Sequence, residues 1–179
     1  MEDHLIISKI QDIETRHYGF NLLIKAYQER IYWHIRKMVV IHEDADDLTQ
    51  IVFVKVWKNL DNFRADSTLY TWIYRIATNE CLSFLRKQKT RHFLSLSSLN
   101  DTLTEHLTSS HQVSGDEVQL KLQKALLKLP DKQRLVFNMK YFDDLKFEEI
   151  ADITNTSVGA LKASYHHAVK KIENFITED

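Results

Sequence analysis

Glycine and proline are scarce in this chain, which has three glycines and one proline among 179 residues. Sheet turns use both residues heavily, because they adopt backbone angles that other residues reach only at a cost. Apolar residues instead recur at steps of three and four through most of the sequence, which is the spacing of amphipathic helices. With 44% hydrophobic residues, the chain can fill the cores of one or two domains. We therefore predict an all-α fold.

Three segments differ in composition. Residues 1–91 and residues 117–179 both show helical spacing. Between them, residues 92–116 are rich in Ser, Thr and Leu and carry three acids but no Lys or Arg. The pattern predicts two helical domains joined by an acidic linker. In the first domain it predicts four helices, near residues 5–17, 19–40, 44–60 and 68–88.

The predicted third helix carries apolar residues on two faces. One stripe has the spacing of a core-facing surface and consists of Leu48, Val52, Phe53, Val56 and Leu60. Ile51 and Val54 lie on another face, among Asp47, Gln50 and Lys58. Apolar residues bordered by polar ones on an outward face are typical of a docking surface. The pattern also fits a helix that its own domain buries on two sides, and the residues alone leave both interpretations open.

Aromatic residues precede a basic helix end in residues 63–91. Asp66 or Ser67 can cap the start of this helix by accepting a backbone N–H bond. Tyr70, Trp72 and Tyr74 follow. The helix ends in four cations, Arg86, Lys87, Lys89 and Arg91. Such rings stack on exposed bases while cations hold phosphates, which favours a nucleic-acid surface. The alternative is a set of core aromatics followed by a solvated basic end that the helix dipole stabilises.

Residues 147–172 have the pattern of a helix-turn-helix. Asn155 falls where the turn needs a left-handed residue, which Asn tolerates, and Ser157 can cap the second helix. The second helix has a predicted buried stripe of Val158, Leu161, Tyr165, Ala168 and Ile172. Its exposed face carries Lys162, His166, Lys170 and Lys171. Such a face can meet phosphates and base edges in a major groove. A three-helix protein-interaction module is the alternative.

Catalysis has no candidate residues in this sequence. The nine histidines are scattered, without acids or cysteines at metal-ligand spacing. Neither a phosphate-binding glycine loop nor a nucleophile elbow occurs. We therefore expect no enzyme activity, no metal and no cofactor. The single Cys81 fits a buried, inert thiol in a reducing cytoplasm, and we predict neither a signal peptide nor a membrane span.

Two ordered sets of residues resemble a known family. The first set resembles region two of the extracytoplasmic-function (ECF) sigma factors, and comprises Asp44-Ala-Asp-Asp-Leu-Thr-Gln50, Phe53, Trp57, Phe63-Arg64, Asp66 and Tyr70-Thr-Trp-Ile-Tyr-Arg-Ile-Ala-Thr-Asn79. The approach from Leu126 to Phe137, together with the helix-turn-helix, resembles region four of the same family. The resemblance implies a transcription initiation subunit that directs bacterial RNA polymerase to promoters. Its implied partners are core RNA polymerase, promoter DNA and an anti-sigma factor.

The resemblance also implies roles for particular residues. The third helix would bind core polymerase through Asp47, Gln50, Ile51, Val54 and Lys58. The fourth helix and the loop before it would open the −10 promoter element through Arg64, Asp66, Ser67, Tyr70, Trp72, Arg75, Asn79, Arg86 and Lys87. The helix-turn-helix would contact the upstream −35 element through Ser157, Gly159, Ala160, Lys162, Ala163, His166, His167 and Lys170.

Several positions depart from the family pattern. Ile51 stands where an acid usually follows the glutamine. In the recognition helix, Ala160, Ala163, Ser164 and His167 stand where the family commonly has Thr, Ser, Arg and Arg, so hydroxyl donors and cations are lost. Each lost phosphate or base contact weakens DNA binding, so we expect weak or altered recognition of the upstream element. An atypical promoter accounts for this, and so does a partner protein that delivers the factor to DNA through its C-terminal domain.

A second functional class also fits these residues. A stand-alone regulator could carry the same helix-turn-helix and use its N-terminal half as an interaction domain. Such a regulator would not support initiation by a core polymerase that lacks any other sigma factor, whereas an initiation subunit would.

Overall fold

A computed structural model describes residues 2–63, 66–91 and 117–177. Within these ranges the chain forms eight α-helices, one 3₁₀-helix and no strand, so the predicted all-α fold is confirmed. The N-terminal bundle consists of α1 (Glu2–Gln11), α2 (Arg16–Val39), α3 (His42–Lys58), the 3₁₀-helix Leu60–Asn62 and α4 (Leu69–Arg91). The C-terminal bundle consists of α5 (Glu117–Leu127), α6 (Asp131–Tyr141), α7 (Phe147–Thr154) and α8 (Val158–Thr177). None of the helices in the described ranges has the length and apolarity needed to cross a membrane.

Apolar stripes assemble the N-terminal bundle around α2, which contacts α1, α3 and α4. The predicted inward stripe of α3 is confirmed as buried at Leu48, Val52, Phe53, Val56 and Leu60. It belongs to one apolar cluster with Leu23, Ile31 and Ile35 of α2 and Ile73 of α4. Each of these side chains, fully removed from water, contributes about 1.5–3 kcal/mol to folding.

The predicted start of α3 is wrong. The helix begins at His42 instead of Asp44, after the extended residue Ile41, and no side chain caps it. Asp44 therefore lies in the first helical turn. There burial, followed by the neighbouring charges of Asp47 and Glu43, raises the pKa of its carboxyl.

The predicted cap of α4 is wrong as well. The Thr68 hydroxyl, and neither Asp66 nor Ser67, accepts a hydrogen bond from the backbone N–H of Thr71 at 3.1 Å. A cap bonds the N–H three residues ahead of it, and α4 starts at Leu69, so only Thr68 has the required spacing. α1 ends at Gln11, earlier than the predicted residue 17, and α2 begins at Arg16, earlier than the predicted residue 19.

The turn of the helix-turn-helix has the predicted geometry. Asn155 lies in the left-handed region with φ 51° and ψ 47°, and the Ser157 Oγ accepts a hydrogen bond from the backbone N–H of Ala160 at 3.3 Å. The predicted stripe of α8 is buried at Leu161, Ala168 and Ile172 and half-buried at Val158 and Tyr165. These local interactions set the direction in which α8 leaves the turn.

One apolar residue of α5 does not join the core. Helical spacing in the sequence places Val118 on the same face as Leu122 and Leu126, but its side chain is 67% exposed. The stripe that packs on the Ala168 and Ile172 side of α8 starts one turn later, at Leu122. The first turn of α5 therefore adds little to the C-terminal core.

The two bundles pack against each other. α6 lies on α2, and α7 lies on α4. Met139 of α6 and Ile150 of α7 are fully buried in the same apolar cluster as the N-terminal helices. The helix-turn-helix is thus held against the helix that carries the aromatic residues, and this contact shapes the candidate site.

Candidate polymerase and nucleic-acid interfaces

The outward face of α3 is open to solvent. Ile51 is 43% exposed and Val54 is 52% exposed. The polar residues around them, Asp47, Gln50 and Lys58, are exposed too. The domain therefore does not bury α3 on two sides, and that interpretation is wrong. An apolar pair with a polar border on an exposed helix has the composition of a docking surface.

An aromatic cluster lies at the start of α4. The rings of Tyr70 and Tyr74 are 4.2 Å apart between centroids, and the Arg30 guanidinium lies 5.0 Å from the centre of the Tyr70 ring. Burial is the main cause that raises the pKa of both phenols, so both stay neutral at physiological pH. The sequence predicted Tyr70 for this site but missed Arg30, which lies on α2 and has no local signal that links it to α4.

Trp72 packs against the N-terminal bundle with only part of its ring. Its side chain is half-buried, and its ring centroid lies 5.1 Å from that of Phe63. Part of the indole therefore supports the fold while the rest is accessible. Asn79 lies about two helical turns after Trp72 on the same face of α4, and its side chain is exposed.

A cleft of about 600 Å³ opens beside α4. Asp66, Ser67 and Arg75 line it together with Asp152 of α7. The Arg75 Nη2 donates a hydrogen bond to the backbone carbonyl of Asp152 at 2.7 Å. Three of the predicted promoter-opening residues are thus brought together, although one of them is already bonded to the helix-turn-helix. Arg64 lies outside the described residues.

The basic end of α4 is divided between solvent and protein. Arg86 and Lys87 are exposed, whereas the Lys89 Nζ donates a hydrogen bond to Asp131 of α6 at 2.7 Å. Arg86 and Lys87 are therefore available for phosphates, and Lys89 is held by the C-terminal bundle.

The predicted DNA-contacting residues of α8 and of the turn before it are exposed. The exposed set comprises Ser157, Gly159, Ala160, Lys162, Ala163, His166, His167 and Lys170. The rings of His166 and His167 are 6.1 Å apart between centroids. Among the described residues, no three acid, histidine or cysteine side chains are arranged to hold a metal. The surface offers few cations and several small side chains, so it can approach DNA closely with few charge contacts.

The architecture defines an all-helical protein with an exposed docking helix in one bundle and a helix-turn-helix in the other. The family profile described as Sigma-70 region 2 matches residues 23–91, and the profile described as Sigma-70, region 4 matches residues 119–172. The two profiles match the two bundles in the order in which they occur in the chain.

Curated relatives agree with these profiles. The ECF RNA polymerase sigma factor SigW of Bacillus subtilis is 33% identical over 159 residues, which cover 83% of each chain. The ECF RNA polymerase sigma-E factor of Haemophilus influenzae is 26% identical and covers 98% of this chain and 96% of its own. The chain therefore belongs to the ECF sigma factors, the transcription initiation factors of bacterial RNA polymerase.

Solved structures show the same fold. CnrH, solved in complex with the cytosolic domain of CnrY, superimposes with a TM-score of 0.72 at 20% identity, covering 100% of this chain and 99% of its own. The sigma factor RpoE of Bartonella quintana, solved with the anti-sigma factor NepR, superimposes with a TM-score of 0.66 at 20% identity, covering 89% and 98%. At this identity the likeness concerns the fold.

Proposed function

We propose that the outward face of α3 is the surface by which this sigma factor binds core RNA polymerase. The observation that carries the proposal is the exposed pair Ile51 and Val54, which lies within the exposed polar border of Asp47, Gln50 and Lys58. Truncation of a central apolar residue often removes much of the energy of an interface. Ile51 in the place of the family's usual acid makes this docking face more apolar.

Promoter opening is the second part of the proposal. The exposed part of the Trp72 ring stacks on a separated base, Asn79 bonds a base edge, and Arg75, Arg86 and Lys87 hold the phosphates of the strand. Asp66 and Ser67 line the adjacent cleft and add polar contacts, as does Arg64 from the preceding loop. Tyr70 contributes its ring face beside Arg30. Aromatic and cationic contacts of this kind are how single strands are commonly bound.

The C-terminal bundle recognises the upstream element, and it does so weakly. Lys162, Lys170 and His166 are exposed on α8 and hold phosphates, while Ser157 and Gly159 bring the helix start close to the backbone. Ala160, Ala163 and His167 give few donors for base edges. A partner protein that grips this bundle and delivers the factor to DNA would compensate, and an atypical promoter would make such a partner unnecessary. Submicromolar binding of a defined upstream sequence in physiological salt would exclude the need for a partner.

Residues 1–91, 92–116 and 117–179 act in this proposal as polymerase-binding domain, linker and upstream-reading domain. CnrH and RpoE were each solved with a protein partner, and in the RpoE complex the partner is an anti-sigma factor. We propose that a cytoplasmic anti-sigma factor, or an anti-sigma segment of a larger protein, covers the α3 face of this chain. It would then exclude core polymerase, because one apolar surface cannot hold two partners at once.

Run-off transcription with purified core polymerase tests the proposal. We expect start-site-specific transcripts from a promoter of the factor's own regulon when this chain is the sole sigma factor. A chain that binds the promoter but yields no transcript with core enzyme would be a stand-alone regulator, and the proposed function would be wrong.

Four variants separate docking from promoter opening. Gln50→Arg and Ile51→Arg place a cation on the docking face and should weaken core binding about tenfold or more, which corresponds to about 1.4 kcal/mol. Trp72→Ala and Asn79→Ala should impair promoter opening more than core binding. Asn79→Ala is the cleaner of the two, because Trp72 also packs on Phe63.

A matched control uses the same chemical change elsewhere. Ile13 lies between α1 and α2 and is 82% exposed, so Ile13→Arg should leave core binding unchanged. Core affinity is measured by fluorescence anisotropy, and opening by permanganate reactivity of unpaired thymines. Equal losses of both activities in all four variants, with folding intact, would contradict the division of labour.

A further inference from the structure

A single acidic residue stands in the helix that carries most of the proposed promoter-opening residues. Glu80 is the one acid of α4, whose other charged residues are the cations Arg75, Arg86, Lys87, Lys89 and Arg91. Glu80 follows Asn79 directly and lies about two helical turns before Lys87, so it shares a face of the helix with Lys87. A DNA strand held by Asn79 and Lys87 therefore runs beside this carboxylate, which repels phosphates.

The cation that faces Glu80 comes from the neighbouring helix. The Lys55 Nζ of α3 donates a hydrogen bond to the Glu80 Oε1 and forms an ion pair with that carboxylate. Within α4, the positions three and four residues away from Glu80 are Ile76, Ala77, Ser83 and Phe84. None of these side chains carries a charge, so α4 cannot neutralise Glu80 through its own neighbours.

Packing holds this ion pair at the edge of the contact between α3 and α4. Val56 beside Lys55 and Cys81 beside Glu80 are both fully buried. The Glu80 side chain is 20% exposed and the Lys55 side chain is 47% exposed. Removal of Lys55 would therefore leave a carboxylate that is largely withdrawn from water and has lost its counter-charge.

Lys55 also lies close to the proposed docking surface. It follows Ile51 by one turn of α3, so spacing alone would assign it to the face that binds polymerase. Its ammonium group is instead bonded to α4. The two assignments predict different losses when the cation is removed, namely core binding in the first case and promoter opening in the second.

We propose that Lys55 is a positioning residue for promoter opening. It holds the Glu80 carboxylate against α3 and neutralises it, so that phosphates drawn along α4 by Arg86 and Lys87 meet no uncompensated negative charge. Lys55 acts through Glu80 and does not itself bind the strand. This role rests on the proposed function in one respect, namely that α4 is the helix that contacts the opened promoter.

Two substitutions and their combination test this role in the full-length chain bound to core polymerase. Lys55→Ala leaves Glu80 uncompensated and should reduce promoter opening about threefold to fivefold, as for one charge contact at a partly exposed site. Glu80→Gln removes the repulsion and should open the promoter at least as well as wild type. The double variant has neither charge and should recover wild-type opening.

Permanganate reactivity of unpaired thymines measures opening, and fluorescence anisotropy measures core affinity, which should stay unchanged in all three variants. A double variant that opens as poorly as Lys55→Ala would show that Lys55 binds the strand directly, and the proposal would be overturned. Weaker core binding by Lys55→Ala that Glu80→Gln does not restore would assign Lys55 to the docking face and overturn it too. Normal opening by Lys55→Ala has the same consequence.

Salt dependence separates charge repulsion from a loss of structure. Dissolved ions screen the repulsion between Glu80 and the strand, so the ratio of wild-type to Lys55→Ala opening should approach one between about 0.05 M and about 0.5 M salt. A structural defect would keep this ratio constant and would lower the urea midpoint of the single and double variants alike. That result would contradict the proposed role.

Lys9 of α1 provides the matched control. It is half-buried and takes part in none of the lysine ion pairs found in the described ranges. Lys9→Ala removes the same charge as Lys55→Ala and should leave opening unchanged, while Lys55→Arg keeps the cation and should open normally. Equal losses in Lys9→Ala and Lys55→Ala would assign the effect to net charge and overturn the proposal.

Asn79→Ala distinguishes failure of this role from failure of the proposed function. If Asn79→Ala impairs opening while Glu80→Gln fails to rescue Lys55→Ala, α4 contacts the promoter and only the role of Lys55 is wrong. If Asn79→Ala opens the promoter normally, the proposed function of α4 is wrong, and the role of Lys55 is overturned with it.

Discussion

At the scale of single residues, position in the fold decides what a side chain can do. Ile51 and Val52 are neighbours of similar chemistry, yet Val52 is fully buried and Ile51 is 43% exposed. Adjacent residues of a helix point about 100° apart, so one belongs to the core and the other to the docking face. The position of Cys81 likewise decides its reactivity. Burial raises the pKa of its thiol to about 12, so its nucleophilic thiolate is scarce at neutral pH.

Cys81 should react slowly with a thiol reagent near pH 8 in the folded protein and at once in denaturant. Its pKa rises on folding from 9.0 to about 12, so the unfolded chain loses the proton first as pH increases. The thiol's contribution to stability is therefore complete below about pH 9 and falls by up to about 1.4 kcal/mol per pH unit above it. Urea midpoints at about pH 8 and pH 10 should drop further in wild type than in Cys81→Ala. Rapid labelling of the native protein would show that the thiol is accessible.

At the scale of helices, the distance of closest approach depends on side-chain size. α1 and α2 meet at Gly19, where a methyl group would lie 2.7 Å from the backbone nitrogen of Ile10 and 2.8 Å from the carbonyl carbon of Lys9. Both neighbours are backbone atoms and cannot move aside individually. At Gly159, near the start of α8, a methyl group would meet no atom within 4 Å.

These two glycines should respond oppositely to the same substitution. Gly19→Ala should lower the free energy of unfolding by about 1–3 kcal/mol, because α1 must shift away from α2. Gly159→Ala should raise it by roughly 0.5 kcal/mol, because alanine has the higher helix propensity and fits without contact. Urea denaturation followed by circular dichroism measures both changes. Equal effects of the two substitutions would show that α1 does not pack at Gly19 in solution.

At the scale of the whole molecule, one buried carboxylate links the bundles. Burial alone would raise the pKa of Asp143, but hydrogen bonds and charge from His34 and Lys37 hold that pKa below its usual 3.8. The negative charge of Asp143 also raises the pKa of Tyr70 and Tyr74 of α4, although burial has the larger effect on both. Folding therefore favours the ionised form of Asp143.

The folded protein should lose part of its stability at acid pH. A group whose pKa is lowered by folding stabilises the folded state above its ordinary pKa, and this stability is lost as pH falls through the lowered value. The urea midpoint, followed by circular dichroism, should therefore fall as pH drops below about 4. Asp143→Asn should remove this part of the response, and Asp144→Asn, at a side chain that is 97% exposed, should keep it. The same response in both variants would assign it to other carboxylates.

Short-range chemistry made much of the fold predictable. The left-handed Asn155 and the capping Ser157 follow from properties of those residues within one turn of chain, and the stripe of α3 follows from spacing alone. Predictions failed where a choice depended on packing. Thr68 caps α4 instead of Asp66. Packing of the first turn against the core sets the start of α4 at Leu69, and only the residue just before that start has the spacing of a cap.

By itself, the sequence determined the helices, their buried faces, the turn of the helix-turn-helix and the two ordered motifs of the family, since each depends on residues close together in the chain. Only the tertiary structure decided that Lys37 meets Asp143, 106 residues away, and that Arg75 is bonded to Asp152. Periodicity specifies which face of a helix is apolar but not which partner covers it. The contact between the bundles arises from apolar packing and polar pairs between residues far apart in the chain, and it exists only when both bundles have folded.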